Sequence, residues 1–300
     1  MLDLARLVAL RELALRGTIA AAAEAMGYTP SAVSQQIAAL ERDVGVALTS
    51  RSGRRLVLTP AGQRLVTRTH ALLDAVEAAE SELRDAGPEA TGTVRLAVFQ
   101  SAALTLVAGT MLRLRASHPA LRVTVTQTEP GAALADVWAR EFDLVVAEEY
   151  PHHAAPHYPG VVRRPLVSDE LRLAVGGEWV RIDAIEQLPS APWVMEPPGT
   201  ATRHFAEQTC RLAGFEPEVR FSTSDLQAHL MLVERGLGVA ILPGLMAGRA
   251  SPAVRLVPLQ GRPRRTVFSA MRESSLVDPA VDAVRAALEA EAGTSGATRV

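Results

Sequence analysis

Near the N-terminus, apolar residues fall at Leu4, Leu7, Val8, Leu10, Leu13 and Leu15, the spacing of a helix with one buried side. Gly17 closes that helix, and Thr18 caps a second, Ala-rich one from Ile19 to Met26. Gly27, Tyr28 and Thr29 form a short turn, after which Pro30 and Ser31 open a third helix. Ala32, Val33, Ile37, Leu40 and Val44 give this helix its buried side, so Ser31, Ser34, Gln35 and Gln36 are expected at or near its outer side. Gly53 to Leu58 reads as a tight turn and short strand carrying Arg54 and Arg55. Thr59-Pro60 then starts a long helix, to about Ala86, with Leu65, Leu72, Leu73, Val76 and Leu83 along it. Gly87-Pro88 and Thr91-Gly92 end it.

Beyond Thr93 the period changes. β-Branched runs at Val94 to Phe99, Leu121 to Thr126 and Leu144 to Ala147 alternate with helices at Ala102 to Ser117 and Gly131 to Arg140. A second set follows, with strands at Glu170 to Val175, Trp193 to Met195 and Val219 to Phe221 and helices at Arg203 to Ala213 and Leu226 to Arg235. Further strands are expected at Gly238 to Leu242, Arg255 to Leu259 and Thr266 to Met271, with a closing helix from Pro279 to Ala292. Such alternation implies a parallel sheet with helices on both faces. The expected divisions are 1–59, a helical head; 60–88, a linker helix; 93–292, a two-lobed doubly wound α/β domain; and 293–300, a flexible tail.

Charge sharpens the picture. The chain has 300 residues and a net charge of -2. Residues 1–70 hold nine arginines against five acids, a net +4, which leaves −6 for the remainder. A basic head on an acidic body fits one nucleic-acid-facing domain. There is no lysine, so every cationic contact comes from a guanidinium. A single cysteine, Cys210, excludes an internal disulfide and a Cys-rich zinc site and suits a reducing compartment. The N-terminus does not read as a signal peptide, and the uncharged run Gly236 to Gly248 holds Pro243 and is too short to span a bilayer, so a cytoplasmic protein without membrane contact is expected.

The run from Gly17 to Gly62, GTIAAAAEAMGYTPSAVSQQIAALERDVGVALTSRSGRRLVLTPAG, closely resembles the LysR-type transcription regulators. The resemblance implies a winged helix-turn-helix, a dimerising linker helix and a periplasmic-binding-protein-like effector domain, assembled as a dimer or tetramer on double-stranded DNA. It implies base contacts at Pro30, Ser31, Ser34 and Gln35; Thr18, Thr29 and Gln36 are expected to bind DNA beside them, and Arg51, Arg54 and Arg55 are assigned to phosphate or minor groove. A recognition helix presents its N-terminal residues to base edges, and Gln pairs bidentately with adenine. One departure stands out. Leu48, Thr49, Ser50 and Arg51 replace the family's usual Leu-Phe-acid-Arg run, removing an aromatic body that would brace the wing.

Ligands of open α/β sheets sit beyond the carboxyl ends of strands. That rule selects Gln100, Ser101, Gln127, Thr128 and Glu148 from the first lobe and Gly199, Thr200, Thr202 and Thr223 from the second. Free amides and a hydroxyl at Thr200 suit a carboxylate, whereas Glu129 and Glu148 suit an amine, so the expected effector is an amino acid or carboxylate. His152, His153 and His157 match no metal-ligand spacing, and no catalytic constellation or cofactor motif is present. The alternatives are a solute-binding protein or an α/β enzyme that does not read DNA.

Overall fold

The computed structural model describes residues 2–52, 55–85 and 90–294. The chain divides into two compact units, Met1–Glu80 and Ser81–Val300.

In the first unit, α1 (Leu4–Arg16), α2 (Ile19–Met26) and α3 (Pro30–Val44) enclose a core of Leu7, Leu10, Leu13, Ala22, Val33, Ile37 and Leu40. Their starts follow from local chemistry. The side chains of Asp3, Thr18 and Thr29 each accept a backbone N–H of the first turn, satisfying donors that the helix leaves open. Gly17, at φ 72°, ends α1 in the left-handed region that a Cβ would disfavour. β1 (Thr49–Ser52) and β2 (Arg55–Leu58) form the antiparallel wing, and α4 (Pro60–Asp85) follows.

The wing is braced by polar groups in place of the expected aromatic. Glu41 of α3 accepts from the backbone N–H groups of Leu48 and Thr49, at 2.8 and 2.9 Å, and from the Thr49 hydroxyl at 3.0 Å. Thr59 ties the other side, donating its hydroxyl to Ala47 O and its backbone N–H to Leu48 O. Gly62 must be glycine here, because a Cβ would collide with the Leu48 carbonyl oxygen. Both partners of that close approach lie within the family-like motif.

The second unit contains β3 (Gly92–Val98), α5 (Gln100–Thr105), α6 (Val107–Ser117), β4 (Leu121–Gln127), α7 (Pro130–Trp138), β5 (Leu144–Glu149), β6 (Val161–Val175), β7 (Pro192–Met195), α8 (Ala201–Leu212), β8 (Glu218–Ser222), α9 (Leu226–Glu234), β9 (Ala240–Pro243), β10 (Arg255–Pro258), β11 (Arg264–Arg272) and α10 (Pro279–Ala292). The main sheet runs β10-β6-β11-β5-β3-β4, with β9 also on β6, while β7 and β8 pair in parallel. It is mixed, not purely parallel: β3 pairs in parallel with β4 and β5, but β11 runs antiparallel to both β5 and β6. Separate cores mark the two lobes. One gathers Leu96, Val98, Leu144, Val146, Val267 and Val284; the other gathers Leu173, Trp193, Cys210, Val239 and Ile241.

β6 joins the lobes. Its first half pairs with β11 and its second with β9 and β10. It is far longer than the expected Glu170 to Val175, because Pro165 hides its beginning. Pro165 sits opposite Phe268 where the register shifts, a bulge at which a missing N–H is tolerated. Ala102 to Ser117, expected as one helix, is divided at Leu106 into α5 and α6. Most of the expected tail, residues 295–300, lies outside the described residues. Among the described residues no helix is long and apolar enough to cross a membrane.

Candidate nucleic-acid interface and ligand cleft

On α3, Ser31, Ser34 and Gln35 are exposed on one side while Val33, Ile37 and Leu40 are buried on the other. Thr18 and Thr29 use their side-chain oxygens as caps, and the Thr29 and Ser31 hydroxyls lie 3.0 Å apart. Pro30 occupies the first turn. Gln36 is half-buried, and its side-chain oxygen is enclosed without a hydrogen-bond partner, so only its neighbour Gln35 projects freely. Arg51 is exposed on β1. Arg54 lies outside the described residues; of Arg55 only the backbone, on β2, is described. Three arginines of the basic head, Arg6, Arg11 and Arg16, are paired with acids of the same unit, Arg16 to Glu12 at 3.3 Å. Arg11 is buried in a 2.5 Å ion pair with Glu12, and Arg6 pairs with Asp43.

In the second unit, a cleft of about 280 Å3 opens between the lobes. Glu129, Glu148, His153, Glu196, Gly199, Thr200 and Thr202 line it, and a narrower recess deepens it toward Gln100, Ser101, Tyr150, Ser224 and Arg265. Its floor is organised by Arg265, which is buried on β11. The guanidinium donates through Nε to Asp169 Oδ2 at 2.9 Å, through Nη2 to Ser101 Oγ at 2.8 Å, and through Nη1 to Glu148. It also stacks over the Phe99 ring, 5.3 Å from its centroid. Burial opposes its charge, but Glu148, Tyr150 and Asp169 more than offset that, and its pKa rises. Tyr150 accepts from the Thr202 hydroxyl at 3.1 Å, and burial together with Glu148 pushes the phenol up.

The acids respond in the opposite sense from a surface carboxylate. Burial raises the Glu148 pKa against the pull of Arg265. Glu196, just past β7, is raised to about 7, first by burial and then by the charges of Glu148 and Glu129; the hydroxyls of Thr200 and Thr202 relieve it slightly.

Of the effector residues expected from the sequence, Gln100, Ser101, Glu148, Gly199, Thr200 and Thr202 line the cleft or its recess. Gln127, Thr128 and Thr223 are absent from its lining. Thr128 extends the β3–β4 ladder by donating to Val98 O, and Thr223 bonds Met195 O and supports Asp225. Several lining groups are already committed. Gln100 reaches across the cleft to Asp225 and to the N–H of Leu226 at the start of α9. Thr200 caps α8 and donates to Pro197 O. Sequence reasoning missed Tyr150, Glu196 and Arg265. Glu196 obeys the same strand-end rule, and the alternation along β11, with Arg264 exposed and Arg265 buried, is the signal that could have found the third. Cys210 is buried in the core of the second lobe, where burial pushes its thiol up to about 12, so it packs rather than reacts.

Two family models match the chain: "Bacterial regulatory helix-turn-helix protein, lysR family" over residues 4–63 and "LysR substrate binding domain" over residues 87–293. A probable hydrogen peroxide-inducible genes activator of Streptomyces viridosporus is 31% identical over 232 residues, covering 74% of this chain and 71% of that protein. Among solved structures, full-length OxyR from Pseudomonas aeruginosa superposes with a TM-score of 0.69 at 18% identity, covering 96% of this chain and 95% of that one. Full-length CbnR complexed with its target DNA gives 0.54 at 19% identity, covering 97% of this chain and all of that one.

Proposed function

The chain belongs to the LysR family of DNA-binding transcription regulators, and from that premise we propose that it binds its operator as a dimer or tetramer and changes its grip when a small molecule enters the cleft. Residues 1–59 are the reading head, 60–88 the linker, and 93–292 the sensor. Ser31, Ser34 and Gln35 face bases and Arg51, Arg54 and Arg55 face the backbone or minor groove. Action is by binding, without turnover.

The observation that carries the sensor reading is the cleft, where Glu129 and Glu148 from one lobe face Glu196, Thr200 and Thr202 from the other around one cavity. A ligand that touches both lobes prefers one setting of them. A differential of about 1–3 kcal/mol changes operator affinity roughly 5- to 150-fold. The oligomer reading rests on an apolar groove of the first unit, where Leu2 and Leu4 lie against Leu72, Ala75, Val76 and Ala79 of α4. Leu72 and Val76 are 45% and 41% exposed although they belong to the stripe that a helix normally buries. A second copy of the helix would cover them.

A gel-shift titration of DNA upstream of the neighbouring genes, with light scattering on the same samples, tests the reading. Specific, salt-sensitive retardation by a species larger than the 31.9 kDa monomer supports it; a monomer that retards all DNA alike refutes it.

A further inference from the structure

The polar atoms of the cleft fall into two unequal groups. Several of its donors are committed to the protein: the Thr202 hydroxyl donates to Tyr150, the Thr200 hydroxyl to Pro197 O and the Gln100 amide to Asp225, while the Ser101 hydroxyl accepts from Arg265 and keeps its own proton to give. The guanidinium of Arg265 is neutralised by Glu148 and Asp169. Among the described residues no other arginine lines the cleft, and His153 is the further basic group there.

The acceptors are in surplus. Glu148 is a side chain nine-tenths buried that lines both the chamber and the recess. Its Oε2 receives Arg265, while Oε1 receives no hydrogen bond from any described residue. Glu129, at the head of α7, caps no N–H and pairs with no described cation. Glu196 approaches from the opposite lobe. A carboxylate oxygen open to the cavity can receive a ligand N–H, whereas a second carboxylate brought into the cleft would add like-charge repulsion. Among the described residues, no three acid, imidazole or thiol groups converge tightly enough to hold a metal ion. The acids are therefore spaced for a cation with a body. The Tyr150 ring lines the adjoining recess and offers a π surface beside the acids.

We propose that the effector is a small organic cation, an ammonium or guanidinium compound, whose charged group is received by Glu129, Glu148 and Glu196. The proposal rests on the reading of the cleft as the effector site and names the chemistry of its ligand. The volume, about 280 Å3, stands at the small end of ligand pockets and admits a short amine rather than a polyaromatic. Such an effector thus departs from the expected amino acid or carboxylate toward an amine without an acid group. Thr200, the group that favoured the acid, has its hydroxyl and its cap already used.

The test is calorimetric titration of the full chain with n-butylammonium, 1,4-diaminobutane and agmatine, and in parallel with succinate and benzoate, up to millimolar concentration. Glu129→Gln, Glu196→Gln and Thr202→Val accompany the parent. The expected result is binding of at least one amine, weakened about tenfold or more by either Glu→Gln change, the worth of one charge-assisted hydrogen bond. Failure of every amine to bind overturns the cation proposal. Binding of succinate or benzoate alone, weakened by Thr202→Val, overturns it while leaving the cleft as the effector site. An amine that binds all variants as tightly as the parent overturns both, since its site lies elsewhere.

Discussion

Arg265 meets Asp169 through two nitrogens at once, Nε at 2.9 Å and Nη2 at 2.7 Å from the same carboxylate oxygen, while Asp169 Oδ1 accepts the backbone N–H of Leu245. The pair ties β11 to β6 beneath the cleft, where the lobes meet. Both side chains are almost wholly buried, so neither can lose its partner to water.

Removal of one partner leaves a buried charge without compensation. Arg265→Ala is therefore expected to cost about 3–5 kcal/mol of the effector unit's stability. Urea unfolding followed by near-ultraviolet circular dichroism checks this; a loss under about 1 kcal/mol would show the node to be dispensable.

Glu196 gives a pH signature. Its folded pKa, about 7, lies above the ordinary 4.5, so the folded state holds the proton more tightly than the unfolded one. Its contribution is fully present below about pH 4.5 and is lost as pH rises through 7. Burial sets this value first, then the charges of Glu148 and Glu129, with the hydroxyls of Thr200 and Thr202 acting the other way. Glu196→Gln should match the parent near pH 4 and exceed it at pH 8 by up to about 3 kcal/mol. Melting temperatures across pH 4 to 8 decide the matter; a gap independent of pH rejects the assignment.

At the reading head, Gln35→Ala should relax discrimination at one operator position by about 1–3 kcal/mol per half-site. Arg51→Ala should instead weaken all DNA alike and flatten the dependence on salt. Competition shifts with single-base operator variants separate the two outcomes. An unchanged sequence preference in Gln35→Ala would place base reading elsewhere.

The polar brace of the wing is open to a direct challenge. Glu41→Ala strips acceptors from three donors, two of them backbone N–H groups, at a cost of about 1–3 kcal/mol. Hydrogen exchange at Leu48 and Thr49 should accelerate, and DNA affinity should fall with the wing's order. Gly62→Ala should perturb the same junction by a different route, through collision with Leu48 O, costing about 1–3 kcal/mol.

The reading head was largely legible in the sequence because its determinants are local. Caps, the glycine stop at Gly17 and the 3.6-residue period all act within a few positions. The sensor was legible only as an alternation of elements. Strand direction depends on partners far along the chain: β11 lies between β5 and β6, and nothing within Arg264 to Arg272 states that it runs antiparallel to both. The cleft shows the same limit. Strand ends picked out Glu148 and Thr202, but Arg265 reaches the floor from mid-sheet by side-chain alternation. Whether a hydroxyl is free or committed, as with Ser101, depends on a residue 164 positions away.

β6 belongs to both lobes, and its partner β11 ends at Arg272. During synthesis the reading head, finished by residue 80, has its internal contacts in hand long before that point. The sensor does not: β5 and the first half of β6 leave the ribosome with open edges that only the last quarter of the chain can close. Such long-range pairing folds slowly and exposes strand edges while it waits. A premature stop after the first strands of the sensor and before Arg272 would thus release a finished reading head fused to an adhesive, unfinished sheet. Such a product could reach the operator but would have lost the means to answer a ligand.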